Sequence, residues 1–135
     1  IGLFRLAADQ GFLMAQTLLG AMYFEGKGVK QDYFEAIRWY RLAADQGDAL
    51  AQVALGEAYF NGQGIKQDYS EAIKLYRLAA DQGNGKAQFY IGGMYAGGQG
   101  VRQDVKMAKE YFGKACDRGF QGGCDMYRII NEMGI

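Results

Sequence analysis

The chain has 135 residues, the length of one domain, and its 15 basic and 15 acidic side chains give a formal net charge of zero. A balanced charge argues against nucleic acid as a partner, because nucleic acid is bound through an excess of Lys and Arg. No stretch of the sequence reaches the roughly 18 apolar residues that a membrane span requires, so we expect no membrane insertion.

The chain contains no His, which removes the usual general base and the commonest metal ligand. Two Cys alone cannot complete a four-ligand zinc site. The glycine-rich run at 97–100 lacks the Lys-Ser/Thr that follows a phosphate-binding loop, and no strand precedes it. We therefore expect no enzyme activity, no catalytic residues, no metal and no cofactor.

Three blocks of 36 residues follow one another without a gap, at 15–50, 51–86 and 87–122. The first two blocks are identical at 23 of 36 positions, and the second and third at 13 of 36. Residues 1–14 repeat the end of a block, so we expect a partial repeat that holds a second helix. A closing helix near 121–133 departs from the pattern, and we assign 123–135 as a cap. We treat the whole chain as one solenoid domain, because such a period indicates stacked helical repeats.

Each block predicts a helix, a glycine-rich loop, a second helix and a tight turn. Apolar residues in the first helix recur at helical spacing, as they do in the second helix. In the first block these are Ala15, Leu19, Met22 and Tyr23, followed by Tyr33, Ala36, Ile37, Tyr40 and Ala44. Each first helix also contains an interior glycine, at Gly20, Gly56 and Gly92, which costs about 1 kcal/mol relative to Ala. We expect these glycines to be close packing contacts with a neighbouring helix.

The sequence also predicts where the second helices begin and end. Asp32, Asp68 and Asp104 are expected N-caps. Glu35 and Glu71 lie three residues further on and complete a capping-box pattern, which predicts that these carboxylates cap helices and do not act in acid–base catalysis. Met107 breaks the pattern and predicts a weaker helix start in the third block. Glycines at equivalent positions are expected to end the second helices: Gly47, Gly83 and Gly119.

The pattern A-Q-x-x-L-G-x-x-Y-x-x-G-x-G-V-x-x-D-x-x-x-A-x-x-W/Y-Y-x-x-A-A-x-x-G closely resembles the Sel-one-like repeat (SLR) family, which is related to the tetratricopeptide repeats. In the first block it is carried by Ala15-Gln16, Leu19-Gly20, Tyr23, Gly26, Gly28, Asp32, Ala36, Trp39-Tyr40, Ala43-Ala44 and Gly47. The resemblance implies an all-α fold, a right-handed α-solenoid of antiparallel helix pairs. It also implies adaptor roles in bacterial host contact, signalling and protein-complex assembly.

Cys116 and Cys124 give the third block a further resemblance, to the secreted cysteine-rich SLR proteins of bacteria. There, such a pair bridges one repeat to the next helix, which implies a disulfide in this chain. Both positions flank a turn between repeats, and free buried thiols or a metal site are the alternatives. The chain has one such pair where the cysteine-rich variant has one in most repeats. The pair favours a periplasmic or secreted bacterial location and leaves the cytoplasm open.

Some first-helix positions lie off the shared apolar stripe and vary most between blocks. We expect them to line a partner-binding groove on the concave face, and ordinary solvent-facing surface is the alternative. They are Thr17, Ala21, Phe24, Val53, Glu57, Phe60, Phe89, Gly93 and Ala96. The sequence thus favours a protein- or peptide-binding scaffold whose partner is another protein or peptide. The alternatives are a structural spacer within a longer protein and, remotely, a cell-wall or β-lactam-related enzyme or binder, against which the missing His and S-x-x-K motif argue.

Overall fold

A computed structural model describes all 135 residues, and every regular element is an α-helix. The prediction of an all-α fold is confirmed. Eight helices follow one another along the chain. In chain order the helices are α1 (Gly2–Asp9), α2 (Leu13–Glu25), α3 (Tyr33–Asp45), α4 (Ala49–Asn61), α5 (Tyr69–Asp81), α6 (Gly85–Gly97), α7 (Val105–Asp117) and α8 (Gln121–Glu132).

The chain forms two compact units, Ile1–Asp68 with α1 to α4 and Tyr69–Ile135 with α5 to α8. Within each unit every helix packs against the next one along the chain. The short connections make neighbouring helices antiparallel. We call α2, α4 and α6 the first helices, because each opens a repeat.

The core of each unit lies where the apolar stripes of neighbouring helices meet. In the first unit, Ala8, Ala15 and Leu19 pack against the buried ring of Trp39. In the second unit, one cluster joins Ala108, Phe112 and Ile130, with partly buried apolar residues around it. The predicted stripes therefore become core, which is the main source of stability for helices of this length.

Within the helix pairs, a glycine lies directly against an aromatic ring. A Cβ atom added to Gly20 would lie 2.6 Å from Cδ1 of Tyr40, and one added to Gly92 would lie 2.7 Å from Cδ1 of Phe112. The rings are buried, with 6% and 1% of their residues exposed, so they cannot move aside. The predicted packing contact is confirmed at both glycines, and Gly56 is buried as well.

Helices α3 and α7 begin at the predicted N-caps Asp32 and Asp104, but the capping box at Asp32 does not form. Asp32 Oδ1 accepts a hydrogen bond from the amide of Glu35 at 3.1 Å. The amide of Asp32 itself donates to the carbonyl of Tyr23 at 2.9 Å, so Glu35 has no amide to cap. The Glu35 carboxylate instead pairs with Arg38 on the next turn of the helix.

The weaker helix start predicted for the third block, at α7, is not observed either. Asp104 Oδ1 accepts from the amide of Met107 at 3.0 Å, and the amide of Asp104 donates to Tyr95 at 2.9 Å. The start of α7 therefore has the same bonds as the start of α3. A methionine in place of glutamate loses no cap, because the reciprocal bond is absent in both.

The tight turns between repeats combine a glycine with a second N-cap. Gly47 has φ +95°, and its amide donates to the carbonyl of Ala44 at 2.9 Å, as predicted for a glycine that ends a helix. The side chain of Asp48 then accepts from the amide of Ala51 at 3.0 Å and begins α4. Asn84 does the same for α6. The sequence analysis did not identify these caps, although an Asp or Asn directly before a helix is their usual signal.

A pair of neighbouring glycines on α6 tests the packing contact. Replacing Gly92 with Ala places a methyl group against the Phe112 ring, and we expect a destabilisation of about 1–3 kcal/mol from overpacking. Gly93, one residue further on, is exposed and has no atom within 4 Å of an added Cβ. Gly93→Ala should therefore stabilise the protein by up to about 1 kcal/mol through helix propensity. Urea unfolding midpoints measure both effects, and a change of the same sign in the two variants would contradict the assignment.

Candidate partner-binding face

The outward side of α2 is an apolar surface. Met14, Thr17, Leu18 and Ala21 are spaced at i, i+3, i+4 and i+7, which puts them on one face of the helix. Met14 is 76% exposed and Leu18 is 42% exposed. Thr17 and Ala21, which the sequence predicted for this surface, are half-buried on the same face. The sequence analysis missed Met14 and Leu18, although their spacing from Thr17 and Ala21 marks the same face.

The equivalent face of α4 consists of Leu50, Val53, Ala54 and Glu57. Leu50 is 66% exposed and occupies the position that Met14 has in the first repeat. Val53 is only 4% exposed, so its prediction as a groove residue is wrong. Its β-branched side chain is part of the core. Glu57 is half-buried on this face.

The face of α6 differs from the other two in chemistry. Its residues are Lys86, Phe89, Tyr90 and Gly93, and only Lys86 and Gly93 are exposed. The ring of Phe89 packs against the rings of Phe112 and Phe120, with centroid distances of 5.5 and 5.0 Å. Phe89 therefore closes the core of the second unit, which corrects its prediction as a free groove residue. The exposed glycine leaves a flat surface beside the lysine.

The three remaining predicted residues, Phe24, Phe60 and Ala96, lie at the ends of the first helices. Their backbone carbonyls accept hydrogen bonds from the loop glutamines Gln31, Gln67 and Gln103 at 2.9, 2.8 and 2.9 Å. All three are half-buried.

Two of these helix-end side chains also take part in packing. The ring of Phe24 packs on Tyr33 and Tyr40, at centroid distances of 4.8 and 6.3 Å. Ala96 packs against the core of the second unit. The structure thus places these two beneath the loops, where they have a packing role, and not on the outward face.

A hydrogen bond connects the face of α2 to the start of α4, and burial changes the pKa of a tyrosine in the same unit. Thr17 Oγ1 donates to Asp48 Oδ2 at 2.8 Å, so the face of α2 is tied to the N-cap of α4. Burial raises the pKa of Tyr40 above its usual value, and the carboxylates of Glu25 and Glu57 raise it further. This phenol is therefore harder to ionise than that of a solvent-exposed tyrosine. This ring is the one against which Gly20 packs.

Cys116 and Cys124 form a disulfide that joins α7 to α8, with their Cα atoms 4.6 Å apart. In the preceding repeat, the same two positions hold Ala80 and Gln88. There, Nε2 of the buried Gln88 donates to the carbonyl of Ala80 at 3.3 Å. The disulfide replaces this hydrogen bond with a covalent link at the same place in the repeat.

Equivalent hydrogen bonds from a buried glutamine to a backbone carbonyl recur in the chain and were not predicted. We call them glutamine clamps. Gln16 donates to the carbonyl of Ala8 at 3.2 Å, and Gln52 donates to that of Ala44 at 3.3 Å. Each clamp fastens the start of a first helix to the end of the preceding second helix. A buried glutamine in this position is therefore structural.

No group of three or more Cys, Asp or Glu side chains is arranged to hold a metal ion. None of the eight helices combines the length and the apolar character that a membrane crossing demands. The exposed features of the first helices are thus apolar surfaces and single charges. Such surfaces suit contact with another macromolecule.

The Sel1 repeat model matches residues 1–12, 13–48, 49–84 and 85–120. This chain belongs to the Sel1 repeat family. The matches keep the 36-residue period and begin two residues before each block read from the sequence. No curated protein matches the chain.

Solved Sel1 repeat structures share the fold. A protective antigen of uropathogenic Escherichia coli strains, which displays an SLR fold, is 41% identical with a TM-score of 0.95 over 98% of this chain and 28% of its own. A Sel1 repeat protein from Oxalobacter formigenes is 34% identical with a TM-score of 0.86, over 91% of this chain and 49% of its own. Cysteine-rich protein B of Helicobacter pylori, at 22% identity, has a TM-score of 0.73 over 91% of this chain and 93% of its own.

These likenesses confirm the predicted family and the helical-repeat solenoid fold. The Sel1 chain spans about a quarter of the Escherichia coli antigen and about half of the Oxalobacter formigenes protein. Sel1 repeats are, in general, protein-interaction modules on a scaffold that is generally non-enzymatic.

The disulfide generates a prediction about the end of the second unit. It closes a loop with a sequence separation of 8 residues, for which chain entropy gives a stabilisation of about 2–3 kcal/mol. Reductant should lower the urea unfolding midpoint of the parent protein by the corresponding amount. The double variant Cys116→Ser/Cys124→Ser should unfold at the reduced midpoint whether or not reductant is present. If both cysteines of the air-exposed parent protein react with an alkylating reagent, and reductant does not change its unfolding midpoint, the bond does not form in solution.

Proposed function

We propose that this chain is a scaffold that binds a protein or peptide on the outward faces of its first helices. The observation that carries the proposal is the exposure of Met14, Leu18 and Leu50, at 76%, 42% and 66%, on the faces of α2 and α4. Exposed apolar side chains that share a helix face are typical of protein-interaction sites. The general role of Sel1 repeats supports the same class of function.

The repeat pattern adds weight to the apolar positions. Met14 and Leu50 occupy the same position in successive repeats, and so do Leu18 and Ala54. Neither Met14 nor Leu50 has a packing role that would explain an apolar residue there. The half-buried Ala21 and Ala54 beside them are small, which leaves room for a side chain of the partner. Large apolar residues beside small ones suit the apolar face of an amphipathic helix, or an extended peptide with apolar anchors.

The face of α6 would contribute differently. Lys86 and the exposed Gly93 replace the apolar residues of the earlier repeats, and Lys86 Nζ lies 5.7 Å from the Tyr90 ring centroid. A cation and a flat surface favour a polar or acidic part of a partner. We propose that the partner-binding residues are Met14, Thr17, Leu18, Ala21, Leu50, Glu57, Lys86 and Gly93.

A structural spacer is the second candidate, because the chain spans only 28% of the Escherichia coli antigen. A spacer needs only its fold and no exposed apolar face.

We also propose the repeat boundaries that were read from the sequence, with a partial repeat at 1–14 and a cap at 123–135. The disulfide supports a periplasmic or secreted setting, because such bonds persist in oxidising compartments.

Paired leucine variants test the binding face. Short peptides selected against the parent protein by phage display serve as the probe, and fluorescence anisotropy measures their affinity. Replacing both Leu18 and Leu50 with Ser should weaken binding at least tenfold, which corresponds to about 1.4 kcal/mol. The control replaces Leu42 and Leu78, which lie on second helices and are 43% and 52% exposed. It should change the affinity less than about twofold, because both leucines lie on second helices, away from the proposed face.

Each alternative result has a definite meaning. A parent protein that yields no saturable peptide supports the spacer. Peptides that ignore Leu18→Ser/Leu50→Ser and lose affinity with the control pair place the binding site on the second helices. Unfolding midpoints of both double variants should stay close to that of the parent, since all four leucines are exposed.

A further inference from the structure

Two surface cavities recur at the same place in different repeats. The first has a volume of about 460 Å³ and is lined by Tyr23, Val29, Lys30, Gln31 and Asp32. The second has a volume of about 450 Å³ and is lined by Tyr95, Val101, Arg102, Gln103 and Asp104. The two sets of residues lie 72 positions apart, which is two repeat periods. We call these cavities the loop pockets, because they lie beside the loops between α2 and α3 and between α6 and α7.

In each loop pocket, the hydroxyl of the tyrosine accepts a hydrogen bond from a second cation, an arginine. Arg5 donates a hydrogen bond to the hydroxyl of Tyr23, and Arg77 Nη2 donates to the hydroxyl of Tyr95 at 2.8 Å. A guanidinium has five N–H donors, and the hydroxyl uses one of them. The remaining donors of Arg5 and Arg77 stay available to a further acceptor beside the pocket.

None of the cations at the loop pockets forms an ion pair. Other cations of the chain do form ion pairs, among them Lys27 with Glu25, Arg38 with Glu35 and Lys74 with Glu71. Lys30 and Arg102 have no ion-pair partner, and the Arg5 and Arg77 guanidinium groups contact Tyr23 and Tyr95. Solvated lysines are common on protein surfaces, but here each one borders a cavity with a second unpaired cation.

The carboxylate inside each loop pocket is already engaged. Asp32 accepts from the amide of Glu35, and Asp104 accepts from the amide of Met107, because both are N-caps. One cation and one capped carboxylate line each pocket, and a second cation, the arginine, is hydrogen-bonded to the tyrosine of that lining.

We propose that each loop pocket binds the carboxylate side chain of an acidic segment of a protein partner. The carboxylate would accept hydrogen bonds from Lys30 or Arg102 on one side and from the spare donors of Arg5 or Arg77 on the other. Charge-assisted bonds of this kind are about twice as strong as neutral ones. The methylene groups of a Glu side chain would pack on the tyrosine ring and on Val29 or Val101, which explains the apolar wall.

The middle repeat carries the same residues. Lys66 and Asp68 stand where Lys30 and Asp32 do, and Ile65 replaces the valine. Arg41 Nη2 donates to the hydroxyl of Tyr59 at 2.9 Å, as the equivalent arginines do. The whole set thus occurs three times in the chain. A requirement for one bound carboxylate per repeat would account for the recurrence of a cation that no group in the protein neutralises.

An acidic peptide fits the loop pockets better than a nucleic acid. Each loop pocket offers only a few cations, which suits a single side-chain carboxylate more than a continuous phosphate backbone. A balanced chain also lacks the continuous basic surface that a phosphate backbone requires. This surface is distinct from the first-helix faces, so the inference does not depend on the proposed function.

A charge-matched pair of variants tests the loop pockets. The probe is a fluorescent peptide of alternating Glu and Ala, compared with its Gln and Ala counterpart and with single-stranded DNA of equal charge. Lys30→Gln/Lys66→Gln/Arg102→Gln removes the unpaired loop cation from all three repeats. The control Lys27→Gln/Arg38→Gln/Lys74→Gln also removes three cations, but each of these already pairs with a glutamate.

We expect saturable binding of the Glu peptide at low ionic strength and none of the Gln peptide. The pocket variant should weaken that binding at least tenfold and the control less than twofold, roughly the difference between a charge-assisted contact and an exposed charge. Leu18→Ser/Leu50→Ser should leave it unchanged. The inference is overturned if the Glu peptide does not bind, if both charge variants weaken it equally, or if DNA binds more tightly than the peptide.

Discussion

The close approach of a first-helix glycine to an aromatic ring of the second helix sets the spacing within the helix pairs. At Gly20 and Gly92 there is no room for a Cβ atom, because the rings of Tyr40 and Phe112 occupy that volume. An interior glycine weakens an isolated helix by about 1 kcal/mol. The packing that it permits buries a whole aromatic side chain, which contributes more than the glycine loses. The interior glycine is therefore required for packing between the two helices and is not a hinge.

The two surfaces proposed for binding depend on this contact in different ways. With one side of α2 held against α3, the opposite side remains exposed to solvent and offers Met14 and Leu18. The same pairing brings the end of the first helix to the start of the second, where the Tyr23 carbonyl accepts the Asp32 amide. That bond shapes the loop beside which a pocket forms. One surface is apolar and the other cationic, so they suit different parts of a partner.

The sequence predicted the fold well because its signals are local and repeated. The 36-residue period, the helical spacing of apolar residues and the aspartate N-caps are each properties of a short segment, and the helices appear where these signals place them. The capping box failed for a reason outside the helix, since the amide of Asp32 is already bonded to Tyr23 in the preceding helix. A motif within one segment cannot reveal that competition.

Candidate site residues were harder to predict, because exposure depends on neighbours that are distant in sequence. Val53 lies on the outward side by helical position, yet it is only 4% exposed. Phe89 varies between repeats as a binding residue would, but its ring fills space beside Phe112 and Phe120. Variation between repeats therefore marked two kinds of position, those that meet a partner and those that adjust the core. Helical spacing from Thr17 would have found Met14 and Leu18 without the structure.

A double-mutant cycle on Gly20 and Tyr40 tests the central claim most directly. Urea unfolding would give the effect of Gly20→Ala in the parent and in a Tyr40→Leu background, where the smaller side chain leaves room for a methyl group. The account predicts that Gly20→Ala destabilises the parent but is neutral or stabilising beside Leu. The coupling free energy should then be about 0.5–3 kcal/mol. Equal destabilisation in both backgrounds would show that the glycine and the ring act independently, which contradicts the account.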